Sequence, residues 1–271
     1  MSLPSRRSSA EARIALGSFD RFLLLYSTMF AAFGVASPFL PALLRERGLG
    51  PSDIGAVLAA GTAVRLITGP VISRLADRLA KHRQILTVLL AMAAVIAFGY
   101  DLPAGFTIFL IVSVAHASTL APIVPIADAM TLAAAPGRFQ YGWVRGGASA
   151  AFVVGAVGAG QVVQATSLGG IVWMNETLLA LAAVAALWLP RNALDRPLAP
   201  RQADVRALLA APGFLPLMAL AALVMSSHAL HDGFEICAGS AEASGRARPG
   251  YCGQRGSWRR LSFSWWWVRR C

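Results

Sequence analysis

Six long apolar segments lie between Phe19 and Pro190, a seventh follows near residues 212–230, and the connections between them alternate between basic and nearly neutral. A segment of about 20 apolar residues crosses the hydrocarbon core of a bilayer as a helix. Connections rich in Lys and Arg stay on the cytoplasmic side. The alternation therefore predicts an all-α, multi-pass membrane protein with its amino terminus inside. The inward-assigned connections hold thirteen basic residues: Arg6, Arg7, Arg13, Arg74, Arg78, Lys81, Arg83, Arg138, Arg145, Arg191, Arg196, Arg201 and Arg206. The opposite side holds Arg45 and Arg47.

Composition agrees. The chain is 56% hydrophobic and 14% charged, where a soluble domain carries about a quarter charged residues. A net charge of +11 raises nucleic acid as a partner, but the Arg residues sit at span ends rather than along one face. Anionic lipid of the inner leaflet is the better counter-charge. Cys237, Cys252 and Cys271 all fall late in the chain, so neither a disulfide framework nor a metal cluster supports the apolar region. The polar stretch Met1–Gly17 resembles the start of a signal peptide. The apolar run beyond it reaches Leu44, too long for one, and more spans follow.

The spans are predicted at Asp20–Leu44, Asp53–Ile72, Gln84–Tyr100, Ala104–Ala133, Tyr141–Gln164, Gly169–Leu189 and Gly213–Leu230. Pro38, Pro41 and the polar Arg45-Glu46-Arg47-Gly48 mark the end of the first, Ser52 or Asp53 is expected to cap the second, and Pro122 and Pro125 to interrupt the fourth. The resulting organisation is a cytoplasmic tail at 1–18, a six-helix bundle at 19–190, a basic linker at 191–211, a seventh helix at 212–233 and a tail at 234–271. In the last, composition changes abruptly. Residues Glu235–Cys271 hold all three Cys, four of the seven Trp and seven Arg. This tail reads as out-of-frame translation of an Arg-rich gene, with an interfacial Arg/Trp element as the other reading.

Two stretches carry the chemistry. The first is Asp77-Arg78-x-x-Lys81-x-Arg83, with Gly69 eight residues before the Asp. The second is Pro122-x-x-Pro125-x-x-Asp128 followed by Tyr141-Gly142-x-x-Arg145-x-x-x-Ser149. Spans four and five turn at Pro136-Gly137, and Asp128 lies as far before that turn as Arg145 lies after it. Antiparallel helices therefore bring both charges to one depth. An ionisable residue inside the membrane is costly unless paired or hydrated, which makes such a pair a functional candidate; a structural ion pair is the other reading. Arg65, twelve residues into span two, needs a cavity or a partner for the same reason, with Asp20 or Asp128 as candidates. Tyr26, Phe30 and Phe33 recur at helical spacing on span one and line either a cavity or a packing face. Gly147, Ala151, Gly155 and Ala159 recur every four residues on span five, which lets helix backbones approach closely. His116 is expected to hydrogen-bond within the bundle. His228-x-x-His231-Asp232 is too sparse a donor set for a metal site.

The first stretch resembles the loop between helices two and three of the major facilitator superfamily, whose pattern is close to Gly-x-x-x-Asp-Arg-x-Gly-Arg-Arg. Ser73 and Ala80 stand here for its glycines, a small-for-small exchange that preserves close helix approach. The second resembles the phenylpropionate permease branch and, more distantly, sugar and nucleoside proton symporters, with Trp143, Gly147 and Ala148 departing from the usual pattern. The resemblance covers the amino-terminal half of such a transporter plus one helix. It implies 3+3 inverted repeats and secondary transport of a small organic solute (aromatic acid, sugar or nucleoside-like), coupled to protons, in a bacterial inner membrane. Asp128, Arg145, Arg65, Tyr26 and Phe30 are then candidates for substrate and proton coupling. Gly69, Asp77, Arg78, Lys81 and Arg83 form a candidate conformational-switch loop, in which Asp77 bonds a helix amino terminus and pairs with an Arg. The sequence calls for no cofactor, metal or nucleic acid, and holds no phosphate-cradling or catalytic motif. One bundle is expected to be inactive alone unless self-association replaces the missing half. A non-transporting membrane scaffold or partner-binding protein is the alternative.

Overall fold

A computed structural model describes the backbone of residues 7–189, 209–224 and 226–227, with side chains from residue 17 onward. The basic linker, the His228–Asp232 cluster and the Arg/Trp/Cys-rich tail lie outside the described residues. Two compact units divide the chain, residues 1–203 and 204–271. Every described element of the first is helical: α1 (Arg7–Glu46), α2 (Pro51–Leu79), α3 (His82–Ala97) with a 3-10 turn at Phe98–Tyr100, α4 (Phe106–Leu120), α5 (Ile123–Ala134), α6 (Tyr141–Ala165) and α7 (Gly169–Leu187). The second unit contains the short apolar helix α8 (Phe214–Val224).

Six helical stretches of the first unit are long and apolar enough to cross a membrane, with α4 and α5 together making the fourth crossing. The break between them falls at Ala121-Pro122. Proline lacks the N–H of the helix ladder and crowds the preceding turn. Pro38 and Pro41 lie inside α1, which ends at Glu46, two residues beyond the predicted Leu44. Packing beyond them explains this. Leu43 and Leu44 are buried with Ile54, Val57, Tyr100, Phe109 and Val172, and neighbours of this kind let a membrane helix tolerate proline. The start of α2 differs from expectation. Gly50 is its N-cap without a side-chain bond, and Pro51 occupies the first helical position, where a missing N–H costs nothing.

The pairing of spans shows an internal repeat. Span one packs along spans five and six, span two along span four, and span three along spans four and six. Exchanging one with four, two with five and three with six leaves that set of neighbours unchanged. An odd number of crossings separates the equivalents, so they run in opposite senses, as inverted repeats require. The tightest approach is between α1 and α6. A methyl group at Gly155 would overlap the Ala31 backbone carbonyl, and one at Gly34 would overlap that of Phe152. The symmetry-related contact between α2 and α4 uses Gly61 against Ser113 and Ala117. Lipid offers no hydrophobic force between helices, so such small-residue contacts supply the packing.

The loop after α2 corrects one expectation. Ala80, where the resemblance leads one to expect a glycine, is the α2 C-cap with φ 51° and ψ 31°, a left-handed conformation. The position thus asks for backbone freedom rather than close approach, and a Cβ there costs about 1–2 kcal/mol. Ala80→Gly is expected to raise stability by about 0.5–1 kcal/mol and Ala80→Val to lower it, as read by thermal unfolding in detergent.

Candidate functional site

Three spans converge on one carboxylate. Asp128 lies on α5 about 9 Å from its end, at 1.5 Å per residue. Its Oδ1 accepts a hydrogen bond from the Tyr26 hydroxyl of α1 at 2.5 Å and from the Tyr141 hydroxyl of α6 at 2.9 Å. Arg145 Nη1 of α6 stands 3.6 Å from the same oxygen. That is an ion-pair distance but beyond hydrogen-bond range, and Nη1 has no hydrogen-bond partner among the described residues. Thr131, one turn after Asp128, donates to the Ala127 carbonyl at 2.7 Å and lies 3.2 Å from the Tyr26 hydroxyl. The guanidinium of Arg145 sits over the Phe30 ring, 4.8 Å from its centroid. Phe30 stacks on Tyr26 and meets Phe33 edge to face.

Local sequence explains why these side chains meet. Tyr26 and Phe30 are four apart on α1, hence on one face. The α1–α6 crossing at Gly34 and Gly155 brings that face against α6. The turn at Pro136-Gly137, where Gly137 takes φ +70°, folds α6 back along α5. Tyr26 is fully buried, whereas the side chains of Asp128 and Arg145 are 27% and 40% exposed. The site is thus buried at Tyr26 and partly exposed at Tyr141, Asp128 and Arg145.

Asp128, Arg145, Tyr26 and Phe30 therefore form one cluster, and Arg65 stands apart from it. Arg65 is exposed and pairs with neither Asp20 nor Asp128 among the described residues. His116 is buried edge to face with Tyr100 at 5.7 Å, and its Nε2 has no hydrogen-bond partner among the described residues. Both rings line a cavity of about 30 Å³ with Asn175, room for a water or two.

The loop after α2 is assembled differently from the expected latch. Asp77 Oδ1 meets His82 Nε2 at 2.8 Å rather than an Arg, because His82 opens α3 directly beyond the Ala80 turn. Arg83 reaches across to the end of α7, donating to the Leu187 and Leu189 carbonyls at 3.1 and 3.0 Å. A cation on free C-terminal carbonyls is favourable. Arg78 and Lys81 are exposed, and Gly69 is buried against Ala121 at the break in span four. Sequence reasoning passed over two features. Tyr141 was legible only as part of a motif. Glu176 is 3% exposed and neither carboxylate oxygen has a hydrogen-bond partner among the described residues; its standing as the acid within an apolar span was the available signal.

Comparison with known proteins gives a family and transporter-named relatives. The model of the MFS_1 like family matches residues 20–238. The chain is 26% identical over 167 residues to "Uncharacterized transporter YwbF" of Bacillus subtilis, covering 60% of this chain and 42% of that protein. It is 29% identical over 145 residues to "Probable 3-phenylpropionic acid transporter" of Escherichia coli, covering 53% of this chain and 38% of that protein. The matched region is thus less than half the length of either curated relative. With the family pattern running from the first span past α8, this multi-pass membrane protein belongs to the MFS_1 like family.

Proposed function

We propose that the six-span bundle is one moving half of a secondary transporter for a small organic solute, with the Asp128–Arg145 cluster as its solute and proton site. One observation carries the reading: a carboxylate and a guanidinium stand inside the membrane region without closing into a hydrogen-bonded pair. An ionised group within a membrane helix is costly, up to about 2.5–3.5 kcal/mol at mid-span on insertion scales. A purely structural pair would recover more of that cost by closing. The aromatic face of Tyr26, Phe30 and Phe33 supplies the apolar wall that solute pockets commonly have. The family and the transporter names of both relatives support the class of activity, and the second relative's name favours an aromatic acid among the candidate solutes.

Alternating access needs two bundles rocking about a shared site, so transport calls for a second bundle beside this one. A second copy of the chain is one way to supply it. The amino terminus is cytoplasmic and the membrane is the bacterial inner membrane; the basic Arg74–Arg83 loop supports that orientation. Two experiments test the reading. Purified chain in lipid nanodiscs, titrated with aromatic acids, sugars and nucleosides, is expected to bind at least one class. Asp128→Asn and Arg145→Ala should each weaken that binding at least about tenfold. Equal binding by both variants and wild type would contradict the site. Reporter fusions at Arg78 and Leu102 are expected to report opposite sides of the membrane, with Arg78 inside; the same side for both would contradict the topology.

A further inference from the structure

The cluster holds more donors than its carboxylate needs. Two phenol hydroxyls and a guanidinium all address one oxygen of Asp128, and the phenols hold it at 2.5 and 2.9 Å while Arg145 remains at 3.6 Å. Hydrogen bonds to an ionised acceptor are the short, strong class, so the phenols alone can satisfy Oδ1. Arg145 Nη1 is left without a hydrogen bond among the described residues, although the guanidinium as a whole stays accessible. A guanidinium offers five N–H donors in a planar fork that matches a carboxylate. Beside it Phe30, partly buried, stacked on Tyr26 and edge to face with Phe33, presents an apolar surface under the charge.

Building on the solute site read above, we propose that Tyr26 and Tyr141 are positioning residues. They hold Asp128 Oδ1 between two hydroxyls, keep Arg145 from closing onto it, and leave the guanidinium to receive a carboxylate whose flat apolar body lies against Phe30. The ligand class is a small aromatic monocarboxylate, in preference to a neutral sugar or nucleoside. A neutral polyol would find Asp128 Oδ1 occupied and an apolar wall where hydroxyl partners are needed. Removing the two hydroxyls lets Arg145 take their place on Asp128, which withdraws the fork from the ligand without deleting any charge.

The test compares 3-phenylpropionate with its neutral counterpart 3-phenylpropan-1-ol by calorimetry on the full chain in nanodiscs. Wild type is expected to prefer the acid at least about tenfold, and Tyr26→Phe/Tyr141→Phe to bring the two within about threefold. Tyr141→Phe alone, at a partly exposed position, should lower the preference at least about threefold and decides the matter if the double variant loses its helical circular dichroism. A role confined to helix packing would weaken both ligands equally and leave their ratio unchanged; that result overturns the proposal. Equal binding of acid and alcohol by wild type overturns the carboxylate assignment while the solute site stands. Failure of both probes where another solute class binds does the same. Failure of every class removes the solute site itself, and this proposal with it.

Discussion

In hydrocarbon a charge has to find its partners within the protein, and Asp128 is where that requirement shapes the bundle. No water competes for its oxygens on the buried side, so donors must arrive from neighbouring helices. They come from α1 and α6, while Asp128 itself sits on α5. One carboxylate thereby fixes the rotation and depth of three spans. The backbone imposes the same demand, and helices with closed ladders are the form that meets it.

That polar knot depends on packing some distance away. Tyr26 reaches Asp128 because α1 and α6 cross closely at Gly34 and Gly155, where neither position has room for a side chain. The small residues set the distance, the aromatic face of α1 fills it, and the polar groups specify register. The pseudo-symmetric crossing of α2 and α4 at Gly61 has a polar contact of its own, Ser113 donating to the Val57 carbonyl at 3.3 Å. Near it lie Tyr100, His116 and Asn175 around a small cavity. Both pseudo-symmetric crossings thus have polar groups near them, the ion pair by one and Ser113, Tyr100, His116 and Asn175 by the other.

Much of this was legible in the sequence, for identifiable reasons. Span number and order follow from length and apolarity, which lipid reads directly. The meeting of Asp128 and Arg145 follows from their equal spacing about Pro136-Gly137, a local hairpin argument. Partners distant in sequence were harder to find. Tyr26 and Asp128 are 102 residues apart, and helical spacing on α1 offered a cavity or a packing face without choosing. Arg83 on the end of α7, His82 on Asp77 and the left-handed Ala80 depend on how α2 turns into α3. Glu176 was visible as an acid in an apolar run, but its burial is a product of tertiary packing.

The central claim is that Asp128 and Arg145 are held in the membrane as mutually dependent charges. Removing one partner of such a pair strands the other, whereas removing both removes the cost along with the attraction. Thermal unfolding of Asp128→Asn, Arg145→Gln and the combined variant, in one lipid and at one pH, measures this directly. The account predicts that the combined variant is more stable than the sum of the two losses, by at least about 1 kcal/mol of coupling. Strictly additive losses would show that the two charges are neighbours without being partners, and the account would be wrong.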